Sequence, residues 1–320
     1  EVSEGLPVKR DSAYKAWVTI MYGCNNFCTY CIVPYVRGRE RSRRKSDILR
    51  EIEELAASGV REITLLGQNV NSYGKDLLEN EGCGSFAELL SAICEDTAGS
   101  GLRRIRFMTS HPKDLSEELI EVMAKYPAVC DQLHLPVQSG STEILRRMNR
   151  RYTKEQYLSL VGKIRARIPQ ITLSTDIITG FPGESEEDFM ETLDLVRKIR
   201  FDMAYTFIYS PRVGTPAAAD PHPVEADRVK DRFNRLLELQ NTISREENEA
   251  CVGKTFEVLC EGLSRTNSTR FTGRTEGNKI VNFTAEAISA ADVEGKFVKV
   301  LIDSAQTWSL DGHALEWEES

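Results

Sequence analysis

Three cysteines, Cys24, Cys28 and Cys31, fall within eight residues in the run GCNNFCTYC, spaced CxxxCxxC. Three thiolates this close, in a reducing compartment, bind metal. A closed structural zinc site takes four ligands, commonly from two CxxC pairs, and no His stands near enough in the chain to be the fourth. On a cubane [4Fe–4S] cluster, three thiolates leave one iron without a protein ligand. An open iron suits an enzyme, because a molecule offering an amine and a carboxylate can chelate it. S-adenosylmethionine is such a molecule, and an electron passed through the cluster can break its sulfonium bond to give a carbon radical. The competing reading is an incomplete zinc knuckle or a fortuitous group of thiols.

Other runs carry candidate chemistry. Gly67-Gln68-Asn69 sits in LLGQNVNSY, where a glycine lets backbone approach a ligand. In Ser174–Glu184, STDIITGFPGE, Gly180 and Gly183 flank Pro182, so the backbone turns sharply and can lie against a flat ring. Gln138 and Ser139, in LPVQSGS, are possible hydrogen bonders in a pocket, whereas His111 and His134 read as structural. Between Arg37 and Lys45 (RGRERSRRK) stand six basic residues and one acidic one, starting six residues past Cys31. Arg37, Arg41, Arg43 and Arg44 there are candidate phosphate contacts for a polyanionic substrate; the alternative is a solvated helix approach. No Ser/His/Asp triad, phosphate-binding loop or HExxH motif is visible.

The elements that must hold these runs alternate. Ala16–Met21 reads as a strand and Ser46–Ser58 as a helix capped by Ser46 and ended by Gly59. Glu62–Leu66, Arg104–Met108, Gln132–Leu135, Ile171–Ile178 and Met203–Tyr209 read as strands. Phe86–Ile93, Ser116–Lys125, Lys154–Arg167 and Ser185–Ile199 read as helices, the last with a Ser185/Asp188 capping pair. Strand, loop and helix repeated about six times predict a parallel α/β sheet, doubly wound or barrel-shaped, with its chemistry at the C-terminal strand ends. Pro211–Pro223, with four Pro, reads as a linker, and Val224–Glu249 as a long charged helix. Beyond Cys251 the short runs Thr255–Cys260, Thr269–Gly273, Lys279–Phe283 and Phe297–Ile302 predict a small all-β barrel of five strands.

Composition bounds the rest. The chain has 320 residues, 41% hydrophobic and 28% charged, which suits two folded domains and excludes a disordered tail or a coiled-coil rod. No apolar run is long enough to span a membrane, and no secretory signal opens the chain, so a cytoplasmic location is expected. Net charge is −8, so attraction to nucleic acid must come from a local patch. Cys83, Cys94, Cys130, Cys251 and Cys260 are scattered and read as core residues or spare thiols.

Together the triad, LLGQNVNSYG, RFMTSHP, LHLPVQSGS, TDIITGFPGE and FIYSPRVGTPAA resemble the radical S-adenosylmethionine (SAM) superfamily, and more narrowly its methylthiotransferases. The resemblance spans about residues 14–310. It implies a partial (β/α)6 TIM-like barrel over 14–250, followed by a TRAM (OB-like) RNA-binding barrel over 251–320. It also implies one [4Fe–4S] cluster on Cys24, Cys28 and Cys31, with SAM on the open iron. Tyr30, Gly67, Gln68, Asn69, Ser174, Asp176, Gly180, Phe181, Pro182, Gly183 and Glu184 would line the SAM site. The substrate implied is tRNA carrying isopentenyladenosine, methylthiolated at carbon 2 beside the anticodon. Sister branches act on a ribosomal-protein aspartate or on threonylcarbamoyl-adenosine, and a non-enzymatic RNA-binding protein with a structural metal knuckle is the other class of reading. A monomer is expected, with flavodoxin or ferredoxin as reductant. Matches to TRAM include Gly253-Lys254, Gly273-Arg274-Thr275 and Gly295-Lys296-Phe297-Val298. Residues 252–320 nevertheless hold seven Lys/Arg against eleven Asp/Glu. RNA contact there is expected from Arg265, Arg270, Arg274 and Lys279, with the acidic Glu316–Glu319 end turned away. The family also carries an N-terminal domain with a second, sulfur-donating [4Fe–4S] cluster; residues 1–13 are expected to be a remnant of it or a linker, and an apolar docking patch is expected near the Cys24 loop.

Overall fold

The computed structural model describes residues 10, 12–77, 84–265, 267–285 and 293–318. Cys83, Glu319 and most of the expected 1–13 remnant lie outside them. The chain runs β1 (Lys15–Thr19), β2 (Met21–Tyr22), α1 (Val33–Arg37), β3 (Arg41–Ser42), α2 (Lys45–Ala57), β4 (Glu62–Leu66), α3 (Phe86–Asp96), β5 (Arg104–Phe107), α4 (Glu117–Lys125) and β6 (Gln132–His134). It continues through α5 (Thr142–Arg147), α6 (Lys154–Arg167), β7 (Thr172–Thr179), α7 (Glu186–Ile199), β8 (Met203–Ile208) and α8 (Ala226–Glu249). Five more strands follow: β9 (Thr255–Leu263), β10 (Phe271–Thr275), β11 (Ile280–Thr284), β12 (Phe297–Ala305) and β13 (Ser309–Trp317).

Two three-stranded parallel sheets, β1-β4-β5 and β6-β7-β8, are linked by a bridge between Ile105 of β5 and Val129, just before β6. The join between β5 and β6 is short: Ile105 N–H donates to Ala128 O at 2.7 Å, and Cys130 N–H donates to Ile105 O at 3.0 Å. Among the described residues β1 and β8 do not pair, so the sheet curls but stays open between them. Side chains alternate across a strand. In β7 Leu173, Thr175 and Ile177 are buried, while Ser174, Asp176 and Ile178 face the less crowded inner side. The outer faces pack on the helices in one large core that includes Val18, Ile63, Leu65, Ile105, Leu133 and Ile177.

Local rules set most helix starts. Ser85/Glu88, Thr153/Gln156 and Ser185/Asp188 form reciprocal capping boxes, and Ser116 and Ser141 cap α4 and α5. The expected Ser46 cap is a correction: α2 starts one residue earlier, with Arg44 at the cap position and no side-chain capping bond. The expected linker over Pro211–Pro223 contains a short 3-10 turn, Pro216–Ala219. The β domain closes as β10-β11-β13-β12-β9 around Val258, Val281, Phe283 and Val300.

The two domains meet at the N-terminal ends of β1, β4 and β5. Arg104 donates to Arg274 O and Glu257 O, both at 2.8 Å. Arg106 donates to Glu276 O at 2.6 Å and Thr275 O at 2.9 Å, and its Nε meets Glu62 at 3.1 Å. Burial alone would raise the Glu62 carboxyl; Arg106, Lys15 and Arg104 outweigh it and hold the group below the ordinary carboxylate range. Arg61 and Arg103 bond Glu318, and Arg103 stacks over Phe297 at 4.2 Å. The β domain thus forms a floor under the inner face of the α/β sheet.

That seam corrects part of the expected RNA face. Lys279 bonds Asp202 at 2.7 Å and Asn248 at 3.0 Å, inside the seam. Arg274 is held by Asn278 and by Glu261 at 3.4 Å, and Arg270 pairs with Asp311. Arg265 is exposed. Glu318 of the acidic end is held on the α/β part by Arg61 and Arg103.

Candidate metal and cofactor site

The triad loop leaves the C-terminal end of β1 through β2 and is fastened on two sides. On one side β2 and β3 form a small antiparallel pair. Cys24 N–H donates to Gly38 O at 3.2 Å, and Asn25 exchanges three hydrogen bonds with Glu40. On the other side Thr29 donates to Met148 O at 3.1 Å and, through its hydroxyl, to Arg147 O at 2.8 Å. Asn149 Nδ2 donates to Phe27 O at 3.0 Å. The free carbonyls at the end of α5 are therefore what hold the loop.

Cys28 is buried, and Cys24 and Cys31 are half-buried. Burial pushes the Cys24 and Cys31 thiols above the usual thiol range. Three soft sulfur donors on one pinned loop suit an iron–sulfur cluster.

Beside the triad opens a cleft of about 280 Å³ lined by Tyr30, Gln138, Asp176, Phe207, Tyr209 and Arg212, among others. It lies at the C-terminal ends of β7 and β8, where a parallel sheet presents ligand sites. Tyr30 brings the triad loop to it and, like Ile178 and Tyr209, packs against the buried cluster of Ile144, Met148, Phe181 and Ala217. Gln138 has φ 71° and bonds both ways with β7, donating to Asp176 O and accepting from Ile178 N–H, which presents its side chain to the cleft. The Tyr209 hydroxyl is buried with no hydrogen-bond partner among the described residues, a polar atom left for a ligand. His134 joins Ser174 (3.0 Å) to Asp176 (3.5 Å), a spatial Ser–His–Asp grouping on adjacent parallel strands that no sequence motif announced.

Several of the other expected cofactor contacts make bonds within the protein. Asn69 is buried, donates to Asp114 at 2.8 Å and accepts from His111 N–H. Gln68 and Gly67 follow β4, and a Cβ at Gly67 would lie 2.6 Å from Met21 Cγ. Phe181 and Pro182 are buried. Glu184 is buried against Arg232 at 2.9 Å and accepts from Gly180 N–H at 3.1 Å. Gly180 and Gly183 both have positive φ, so a side chain at either is strained, and an added Cβ would meet Val229 on α8 and Arg147 on α5, respectively. Ser139 is likewise committed, buried beside Thr192 and accepting from Ser141 N–H.

The basic run divides in the same way. Arg37 and Arg41 are exposed, as is Arg44, on the hairpin zipped to the triad loop. Arg43 is buried: it bonds Thr19 O and Glu51, each at 2.7 Å, and helps hold α2 to β1. Phe27, Tyr35 and Val36 are exposed beside the triad, where an apolar patch was expected. Sequence reasoning missed Arg150, Tyr152 and Tyr209. Arg150 and Tyr152 follow a short helix, α5, that carries no strong sequence signal.

Profile comparison matches residues 18–196 to the radical SAM superfamily and residues 249–315 to the TRAM domain. A tRNA-2-methylthio-N(6)-dimethylallyladenosine synthase of Acetivibrio thermocellus is 57% identical over 98% of this chain and 63% of that protein. One from Carboxydothermus hydrogenoformans is 56% identical over 98% of this chain and 69% of that protein. The chain thus spans about two thirds of the length of the curated relatives it matches. Among solved structures, the radical S-adenosylmethionine methyltransferase TsrM of Kitasatospora setae superposes with a TM-score of 0.53 at 21% identity, over 68% of this chain and 42% of that one. Coproporphyrinogen III oxidase (HemN) of Escherichia coli gives 0.50 at 16%, over 72% and 52%. These two establish the likeness of fold alone. A thiol triad at the end of the first strand, a cleft at the ends of the last two, and these matches lead to one conclusion: the chain belongs to the radical SAM superfamily and, within it, to the family of the tRNA-2-methylthio-N(6)-dimethylallyladenosine synthases.

Proposed function

We propose that this chain supplies the radical-generating and RNA-facing parts of a tRNA methylthiotransferase acting at carbon 2 of isopentenyladenosine. One observation carries the reading: the loop bearing Cys24, Cys28 and Cys31 is zipped through Cys24 N–H and Gly38 O to a hairpin with exposed arginines. A polyanion gripped by Arg37, Arg41 and Arg44 would lie next to the thiols. The three cysteines would hold one [4Fe–4S] cluster; with SAM bound, that centre supplies a carbon radical able to take hydrogen from the base.

The chain's own residues do the rest. Tyr30, Gln138 and Asp176 line the cleft beside the triad, and Tyr209 offers it an unpaired hydroxyl. His134, fixed between Ser174 and Asp176, sets the orientation of the Asp176 carboxylate. Buried residues of the Gly180–Glu184 turn hold the α7 and α8 walls and exclude water. In this reading the α/β part, residues 14–250, does the chemistry, and residues 251–320 brace it from below. RNA contact by the β domain falls mainly to Arg265. The sulfur donor is a second [4Fe–4S] cluster held outside residues 14–320, with tRNA as substrate and a flavodoxin or ferredoxin as reductant.

Anaerobic reconstitution with iron and sulfide tests the core of this. The expected product holds one cluster, about four irons per chain, and cleaves SAM to 5′-deoxyadenosine; Cys24→Ala and Cys28→Ala lose both. Stoichiometric zinc with no cluster, or undiminished cleavage in Cys28→Ala, would refute it.

A further inference from the structure

We propose that Arg150 is the counter-charge of the cysteine centre. Its guanidinium, set against the Cys28 sulfur, favours the electron-rich state of the cluster that the triad holds. The inference rests on the cluster reading above and assigns a positioning residue to it.

Arg150 is 5% exposed. Its Nε donates to the Tyr152 hydroxyl at 3.0 Å, Nη2 to Pro136 O at 2.7 Å, and Nη1 points to Cys28 Sγ at 3.6 Å. The Tyr152 ring lies under the guanidinium at 5.4 Å and its hydroxyl donates onward to Val137 O, which fixes the fork. Other buried arginines here have carboxylates: Arg106 has Glu62 and Arg232 has Glu184. The groups acting most strongly on Arg150 are Tyr152, Tyr30 and Cys28, with no Asp or Glu among them. A buried charge without an opposite charge is strongly disfavoured. Of the three neighbours, a metal-bound Cys28 is the one that carries negative charge near neutral pH.

The backbone points the same way. Asn149 and Arg151, on either side, both have positive φ without being glycine (58° and 59°). Asn adopts the left-handed region readily, whereas at Arg151 it is unfavourable and persists where surrounding contacts dictate it. Asn149 reaches back to Asn26 O and Phe27 O on the triad loop. The turn thus points Arg150 inward while Asn149 ties it to the cysteine loop.

Reduction adds one electron to the cluster, taken from a one-electron donor, and neither breaks nor makes a bond. The added negative charge sits a few ångströms from the guanidinium. At the effective dielectric of protein interiors, a unit charge at that range changes such an equilibrium by about tenfold or more. For a one-electron couple, tenfold corresponds to about 59 mV.

The test reconstitutes the wild-type chain, Arg150→Met and Arg150→Lys with iron and sulfide, then titrates each with dithionite while following the reduced-cluster EPR signal. Arg150→Met should load iron like the wild type but reduce at a midpoint lower by about 59 mV or more; Arg150→Lys, which keeps the charge, should shift less. A loaded Arg150→Met with an unshifted midpoint overturns the inference and leaves the cluster reading intact. If Arg150→Met does not load, the wild type decides. Chain labelled with isotopic arginine should show an arginine nitrogen coupling in pulsed EPR of the reduced cluster, and its absence overturns the inference. A wild-type chain that takes up no cluster overturns the cluster reading and this one with it.

Discussion

Replacing Arg106 by Met should unfasten the floor from the barrel. Arg106 is 6% exposed and makes three polar contacts there: with the Glu62 carboxylate, Glu276 O and Thr275 O. Met has a similar length and makes none of them. Removing one partner of a buried ion pair costs about 3–5 kcal/mol, and each carbonyl left without a donor adds about 1–3 kcal/mol. Against this, Lys15 at 3.4 Å and Arg104 at 3.9 Å still face Glu62, and the Met stem keeps apolar contact. A net loss of about 3–5 kcal/mol is expected, against less than about 1 kcal/mol for breaking the exposed Lys163–Glu117 pair. Urea unfolding followed by tryptophan fluorescence and far-UV dichroism measures it. Because the seam couples the domains, the variant should also separate into two transitions. The pH dependence has a definite sign. The folded Glu62 carboxyl is depressed, so its contribution is present above the unfolded value and is lost as pH falls through the folded one. The gap between wild type and variant should therefore narrow in acid. The double change Glu62→Gln/Arg106→Met, which removes both charges, should recover part of the loss. A single-variant cost below about 1 kcal/mol, or a double variant no better than the sum of the singles, would refute this account of the seam.

Gly183→Ala should lower stability by about 1–3 kcal/mol through its φ of +73° and the displacement of Arg147 from Asp220, yet leave cluster uptake unchanged; calorimetry and iron analysis check both. Replacing Arg37, Arg41 and Arg44 by Ala should weaken tRNA binding and reduce its log–log salt slope by about one unit per lost phosphate contact. Arg43→Ala should reduce thermal stability without moving that slope, and equal slopes for all of these variants would dismiss the hairpin as an RNA contact. Asp114 is buried, which alone would raise its carboxyl, but hydrogen bonds from Lys113, Lys75 and Asn69 bring it down to about 2. Its contribution is thus present above pH about 4 and lost toward pH 2. Denaturation of Asp114→Asn across pH should show a deficit that is full at neutral pH and closes in acid.

The strands and helices were legible because their periods and caps are local. Glu62–Leu66 and Lys154–Arg167 fall where alternation and helical spacing put them, and the Ser185/Asp188 capping pair is made as expected. The triad was legible because its three cysteines are close in sequence. What stayed hidden depends on distant partners. Nothing in NRRYT says that Arg150 turns inward beneath Cys28, since that follows from α5 abutting the triad loop. The glycines of TGFPGE suggested a ligand; they also accommodate Val229, 49 residues after Gly180, and Arg147, 36 before Gly183. Positive charge in the β domain suggested RNA, but charge type alone does not distinguish a phosphate from Asp202 across the seam or Glu261 within the β domain.

The sheet stops at six strands, with β1 and β8 left unpaired, and that incompleteness decides how a large substrate can arrive. An eight-stranded ring presents only its mouth, so anything reaching the centre must fit end-on. Trp17 on β1 is 63% exposed, and Tyr205 and Phe207 on β8 are half-exposed, so the two edge strands carry exposed aromatic rings. On the function proposed above, a bulky folded nucleic acid stays outside and presents a single base sideways. The barrel works less like a well than like a slot, and the length of nucleic acid on either side of the base need never pass through it.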